Sequence, residues 1–111
     1  MSAETDFNTI TIRDNAAERR YETRIGDSVA VLEYEREGDR STLIHTGVPR
    51  ELEGHGIAGK LARFALDDAR THGWQVVPEC SYVQSYLRRH PDQMDVVAPD
   101  ARDLVTGDER P

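Results

Sequence analysis

At Gly56 the hydrophobic pattern changes period, and that change restricts the folds open to this chain more than any other feature. Before it, RRYETRI, SVAVLEYE and STLIHTGV are rich in β-branched and aromatic residues, the composition of half-buried strands. Gly26-Asp27 and Glu37-Gly38-Asp39 separate them with turn chemistry, which predicts an antiparallel meander. After it, Ile57, Leu61, Phe64, Ala65 and Ala69 recur at helical spacing, with Lys60, Arg63, Asp67 and Arg70 on the opposite side. That spacing predicts one long amphipathic helix. His72-Gly73 ends it, because glycine readily takes the left-handed conformation of a helix C-terminus. Trp74 to Val77 reads as a short buried strand. Strand, helix and strand then form a β-α-β unit, with a parallel pair joined by a right-handed crossover.

Two further elements are expected on either side. TITIR, Thr9 to Arg13, reads as an additional short strand ahead of the meander. Cys80 to His90 reads as a second helix with Tyr82, Val83, Tyr86 and Leu87 on one face, stopped by Pro91-Asp92. From Ala98 the chain is acidic, contains prolines and has little periodicity, which predicts a mobile tail. The expected organisation is α+β: one domain over 9–97 with a mixed sheet, an antiparallel N-terminal meander followed by a β-α-β unit and a short C-terminal helix. Residues 1–8 and 98–111 are expected to be flexible ends.

Composition narrows the function. A chain of 111 residues closes one hydrophobic core of useful depth. Its formal charge of -7 and its scattered basic residues argue against nucleic acid as a partner, since a phosphate backbone is bound by clustered Lys and Arg. No apolar run reaches membrane-spanning length, so no membrane association is expected. Cys80 is the single cysteine, which excludes an internal disulfide and leaves a structural zinc site without its other sulfurs. It is either a small core residue or a reactive thiol. The start, MSAETDFNT, has neither a basic stretch nor an apolar core, so no secretory signal is visible. A cytoplasmic monomer or weak dimer is the expectation.

GHGIAG, Gly54 to Gly59, matches the G-x-G-x-x-G spacing of a dinucleotide site. That fingerprint requires its first glycine directly after a buried strand and enough chain for a doubly wound sheet. Here Pro49 to Glu53 intervene, and too few residues follow Val77 to build a second β-α-β half. The match is accidental as a nicotinamide or flavin signature, and Glu79 loses a ribose-binding role. The glycines keep a physical use, because backbone N–H groups at a helix start unobstructed by side chains approach a phosphate closely. The bound group read from this loop is a pyrophosphate.

The meander, V-P-x-x-x-x-G-x-G-I-A leading into a long helix, a short strand, C-x-Y-V and Y-L-x-x-H-P together resemble the GNAT superfamily of N-acetyltransferases, and within it the short YjdJ-like branch. The resemblance covers roughly Arg19 to Asp92. It implies acetyl-CoA as co-substrate, with the coenzyme A pyrophosphate held by the loop and helix start at Gly54, His55, Gly56, Ile57, Ala58, Gly59 and Lys60, and the pantetheine arm beside Val48. Glu53 departs from the superfamily's Q/R-x-x-G-x-G/A signature by placing a carboxylate at its first position. Lys60 and Arg63 are either an offset to that charge or solvated surface residues.

The same resemblance implies that His45 and Cys80 share the active centre, and aligns Tyr86 with the tyrosine that protonates the departing thiolate. From the residues alone, Cys80 is equally a buried thiol and His45 a hydrogen-bonded structural residue. Tyr82 and Tyr86 share a helix face and are alternatively core aromatics. The expected activity is transfer of an acetyl group from acetyl-CoA to the amine of a small molecule or a protein, either directly or through an acetyl-Cys80 intermediate activated by His45. The alternatives are a non-catalytic acyl-CoA-binding or protein-interaction module on the same fold, and a thiol redox sensor using Cys80.

Overall fold

A computed structural model of the chain describes Phe7 and residues 9–107. Five strands form one sheet in sequence order: β1 Arg13–Asn15, β2 Arg20–Ile25, β3 Ser28–Glu37, β4 Arg40–Gly47 and β5 Gln75–Pro78. β1 to β4 are antiparallel neighbours, and β5 pairs parallel to β4. The long helix, α1, spans Ile57–His72 and closes on Gly73 at φ 74. A second helix, α2, spans Ser81–Arg89. The predicted meander and β-α-β unit are therefore both present in a mixed α+β fold.

Alternation along the strands decides what α1 covers. Tyr21, Ala30, Leu32, Tyr34 and Leu43 are buried, as are Leu61, Ala62, Ala65, Leu66 and Ala69 of α1. Phe64, predicted for the apolar stripe, lies at its rim, 37% exposed, with its ring edge-on to Tyr21. At the far end of the sheet, the Arg36 guanidinium lies over the rings of Tyr34 at 4.0 Å and Trp74 at 4.2 Å. It also donates to Asp14 at 2.7 Å and to the Tyr21 hydroxyl at 2.9 Å. Tyr21 in turn donates to Asp68 of α1 at 2.8 Å, so β1, β2, β3 and α1 are tied together at that end.

Two boundary expectations are corrected. The first strand covers Arg13–Asn15 rather than Thr9 to Arg13. A tight turn, with Glu18 N–H on the Asn15 carbonyl and Arg19 at φ 57, starts the pairing at Asn15↔Arg20. Ile10 and Ile12 instead pack on the core as partly buried side chains.

The tail is docked over 98–107. Ala98 N–H donates to the Val76 carbonyl at 2.8 Å, extending the sheet edge beside the Val76↔Val97 bridge. Ala98, Ala101 and Val105 are buried, and a short helix, α3 Asp103–Thr106, holds the last of them. Arg88 of α2 donates to the Val105 carbonyl at 2.7 Å. Small apolar residues at 98, 101 and 105 make one narrow stripe, masked in the sequence by the intervening acids. The remaining residues expected to be flexible, 1–6, 8 and 108–111, lie outside the described ones.

Candidate coenzyme and acyl-transfer site

β4 leads through Val48 and Pro49 into a single 3-10 turn, Arg50–Leu52, that buries Leu52 and turns the chain toward α1. Gly54 at φ 85 and Gly56 at φ 75 are both left-handed, a conformation side-chain-bearing residues adopt at a cost. The N–H groups of Ile57, Ala58 and Gly59 have no intrahelical partner by helix geometry, and no side chain caps them. The first paired amide is Lys60, on the Gly56 carbonyl at 3.1 Å. These unclaimed donors open on a cleft of about 150 Å³ whose walls are Val48, Leu52, Glu53, the loop glycines and Tyr82. Oriented N–H groups and the positive end of the helix favour an anion there.

The structure brings Val48, Gly54, Gly56, Ile57, Ala58 and Gly59 around that one cleft. His55 does not line it: it is exposed, with its ring stacked on Phe7 at 3.9 Å. Lys60 stands outside the lining as well. Arg63 is exposed and is paired to Asp67 at 3.8 Å. Glu53 is on the cleft wall, so its charge opposes an anion at that mouth.

Gly59 serves a different purpose from the other two glycines. A Cβ placed there would stand 3.3 Å from the Tyr82 hydroxyl and 3.9 Å from the Tyr86 ring. The missing side chain lets α2 approach the first turn of α1 closely. Tyr82 is thereby a cleft residue. The sequence signal for it was present in C-x-Y-V, one turn ahead of Tyr86.

At the other end of the site, β4 and β5 part. Their last paired residues are Leu43 and Pro78, after which Cys80 N–H donates to the Leu43 carbonyl at 2.8 Å. A β-bulge then follows on β4: Tyr34 pairs with Leu43 but Glu33 pairs with His45, leaving Ile44 extra. The extra residue reverses the alternation. His45 joins the face of its partner Glu33, where both are exposed, and its ring lies 3.6 Å from the Cβ position of Gly47. Thr46 takes the inward position, pairing with Leu32, and its hydroxyl meets the Cys80 thiol at 3.1 Å. The structure therefore separates His45 from Cys80 and gives the thiol Thr46 as its partner. Without the bulge, the spacing from Leu43 would have turned His45 inward.

Cys80 is 4% exposed and occupies the N-cap position of α2. Tyr86 is buried, its ring is stacked on His90 at 4.2 Å, and burial pushes its hydroxyl above the ordinary tyrosine value. Thr46, which meets Cys80, precedes Val48 of the glycine cleft by only Gly47, so both lie at the C-terminal end of β4.

A mixed sheet whose parallel pair parts beside a glycine-opened helix N-terminus is the GNAT architecture. The model of the GCN5-related N-acetyl-transferase family matches residues 20–96, and the chain belongs to that family. It is 31% identical to protein NATD1 of Xenopus tropicalis over 86 residues, 75% of this chain and 79% of that one. It is 41% identical to human protein NATD1 over 63 residues, 56% of each chain, so that match spans little more than half of the human protein. The solution structure of a GCN5-like protein from Staphylococcus aureus superposes with a TM-score of 0.63 at 23% identity, covering 79% of this chain and 87% of that one, and shows the same fold. No helix among the described residues is long and apolar enough to cross a membrane.

Proposed function

We propose that the chain is an acetyl-CoA-dependent N-acetyltransferase that acylates an amine directly. The carrying observation is the uncapped start of α1, opened by two left-handed glycines onto a cleft walled by Val48, Leu52 and Tyr82. The backbone donors of Gly54 to Gly59 would hold the pyrophosphate of coenzyme A, and Val48 would flank its pantetheine arm. Acetyl-CoA supplies the activated acyl group. The amine nitrogen bonds to the acetyl carbon as the carbon–sulfur bond breaks. The amine loses a proton to solvent, and Tyr86, beside Gly59 at the start of α1, is the candidate donor to the leaving thiolate.

Direct transfer is favoured over a covalent relay because Cys80 is buried against Thr46 and His45 faces the other side of the sheet. On this reading Cys80 would wall the thioester site and His45 would stand outside it. The acceptor is a small-molecule or protein amine, and a reducing, cytoplasmic setting belongs to the same reading, as does a monomer or weak dimer. The separation of His45 from Cys80 also supports a second reading, a module that binds acyl-CoA without turning it over. Calorimetry with coenzyme A, and mass spectrometry of a panel of amines incubated with acetyl-CoA and protein, decide between them. Binding with an acetylated amine supports transfer; binding with none across a broad panel supports the module; absence of binding rejects both.

A further inference from the structure

The glycine loop is held from outside its cleft. His55 sits between two left-handed glycines, Gly54 and Gly56, residues whose backbone is the most permissive. Yet its imidazole is stacked nearly parallel on Phe7, with centroids 3.9 Å apart and planes 6° from parallel. Phe7 is itself partly buried against the core, so the stack ties the loop to the body of the domain. A second tie lies on the same approach: Ser28, at the start of β3, donates to the Glu51 carboxylate in the turn that precedes the loop. Neither contact enters the cleft, whose lining includes Glu53, Gly54, Gly56 and Gly59 but neither His55 nor Phe7. Phe7 therefore leaves the cleft uncovered while fixing the residue between its two left-handed glycines.

We infer that Phe7 is a positioning residue for the coenzyme loop: stacked on His55, it holds Gly54 and Gly56 in place at the cleft in the free protein. Ordering the loop before binding lowers the entropy lost when an anion arrives. Phe7 touches no part of the ligand in this scheme, so it acts on affinity rather than on chemistry. The inference rests on the proposed coenzyme site, but the loop's order in the ligand-free protein is a separate observable.

The test uses the full chain carrying Phe7→Ala, Phe7→Tyr, His55→Ala or both alanine changes, with folding checked by thermal melts. The expected results are lower heteronuclear NOEs at the Gly54 and Gly56 amides of Phe7→Ala without ligand, and a Kd for coenzyme A raised about two- to tenfold, the range one stacked aromatic pair supports. KM for acetyl-CoA should rise with kcat unchanged. Phe7→Tyr, which keeps the stack, should restore both. The double variant should bind no more weakly than the weaker single one, because both changes remove one contact. Unchanged loop NOEs in a folded Phe7→Ala variant overturn the inference whatever the ligand result, and so does a loosened loop with unchanged Kd. If the wild-type chain binds no coenzyme A, the coenzyme reading falls and takes the affinity role with it, while the NOEs still decide whether the stack orders the loop.

Discussion

Thr46 and Cys80 meet hydroxyl to thiol at 3.1 Å where β4 and β5 part, while His45, the residue before Thr46, faces the opposite side of the sheet beside Glu33. The pair bears on the proposed mechanism. A buried thiol held by a hydroxyl, away from the histidine, suits a wall better than an acyl carrier, because acyl transfer through cysteine needs an accessible thiolate with a base beside it.

Cys80→Ala is accordingly expected to keep at least a third of the wild-type kcat and to lose about 1 kcal/mol of stability from the small cavity. Alkylation of the folded protein should be slow, and incubation with acetyl-CoA should leave no acetyl adduct on Cys80 in an intact-mass spectrum. An adduct that forms and decays with turnover would reverse the assignment. His45→Ala should change kcat by less than about threefold.

That outcome turns on a feature the sequence conceals. The change of period at Gly56 was enough to read the meander, the long helix and the β-α-β unit, because each rests on local spacing. The glycine loop was legible for the same reason, since left-handed backbone selects glycine one position at a time. The bulge at Ile44 follows from how β3 and β4 settle against each other, and no residue in STLIHTGV announces it. The stripe of Ala98, Ala101 and Val105 is small and interrupted by acids, and its partners lie in β5 and α2. Contacts distant in sequence, such as Phe7 on His55, leave no periodic trace.

Gly56 at φ 75 tests the phosphate cradle. Gly56→Val should weaken coenzyme A binding at least tenfold, because a β-branched residue resists the left-handed backbone that opens the helix start. The stability cost should stay within about 1–3 kcal/mol, the range for a residue held in a sparsely populated conformation. Calorimetry on the folded variant reads the first quantity and a thermal melt the second. Unchanged affinity would move the phosphate site elsewhere.

Deleting 98–111 should destabilise the domain, since it strips Ala98, Ala101 and Val105 from the core and removes the acceptor of Arg88. Burial of a single valine contributes about 1.5–3 kcal/mol, so a loss of roughly 2 kcal/mol and about 10 °C in Tm is expected for a domain of this size. A deletion variant that melts with the full chain would show that this segment adds nothing to the fold.

Glu22 gives the fold a dependence on pH. It is 4% exposed, and its carboxyl accepts from Arg20 at 2.8 Å, Asn15 at 3.1 Å and Arg13 at 3.0 Å. These donors, Arg20 foremost, hold its pKa down to about 2, against 4.5 for a free glutamate. A folded-state pKa below the unfolded one adds stability that is complete above about pH 4.5 and is lost as pH falls toward about 2. Glu22→Gln should cost about 2 kcal/mol at pH 7, the scale of hydrogen bonds to a charged group. The gap between variant and wild type in urea melts should narrow progressively between pH 4.5 and pH 2. A gap that holds constant over that range would assign the loss to packing rather than to charge.

Glu53 stands on the cleft wall, which puts a carboxylate near the proposed pyrophosphate site. In the proposed site the backbone donors of Gly54 to Gly59 would bind through fixed dipoles and remain whatever side chain occupies position 53, so removing this charge would relieve repulsion without dismantling the site. Glu53→Gln is isosteric, and the amide adds a donor. Coenzyme A should therefore bind about threefold more tightly at low salt, since like charges several ångströms apart in a water-facing cleft repel only modestly. The advantage should shrink as ionic strength rises, because at 1 M salt the screening length is about 3 Å. Calorimetry with coenzyme A at low and high salt, on wild type and variant, measures both effects. A variant that binds with wild-type affinity at low salt would put the pyrophosphate out of reach of Glu53, and a variant that binds more weakly would mean that this carboxylate shapes the loop through a contact the glycines need.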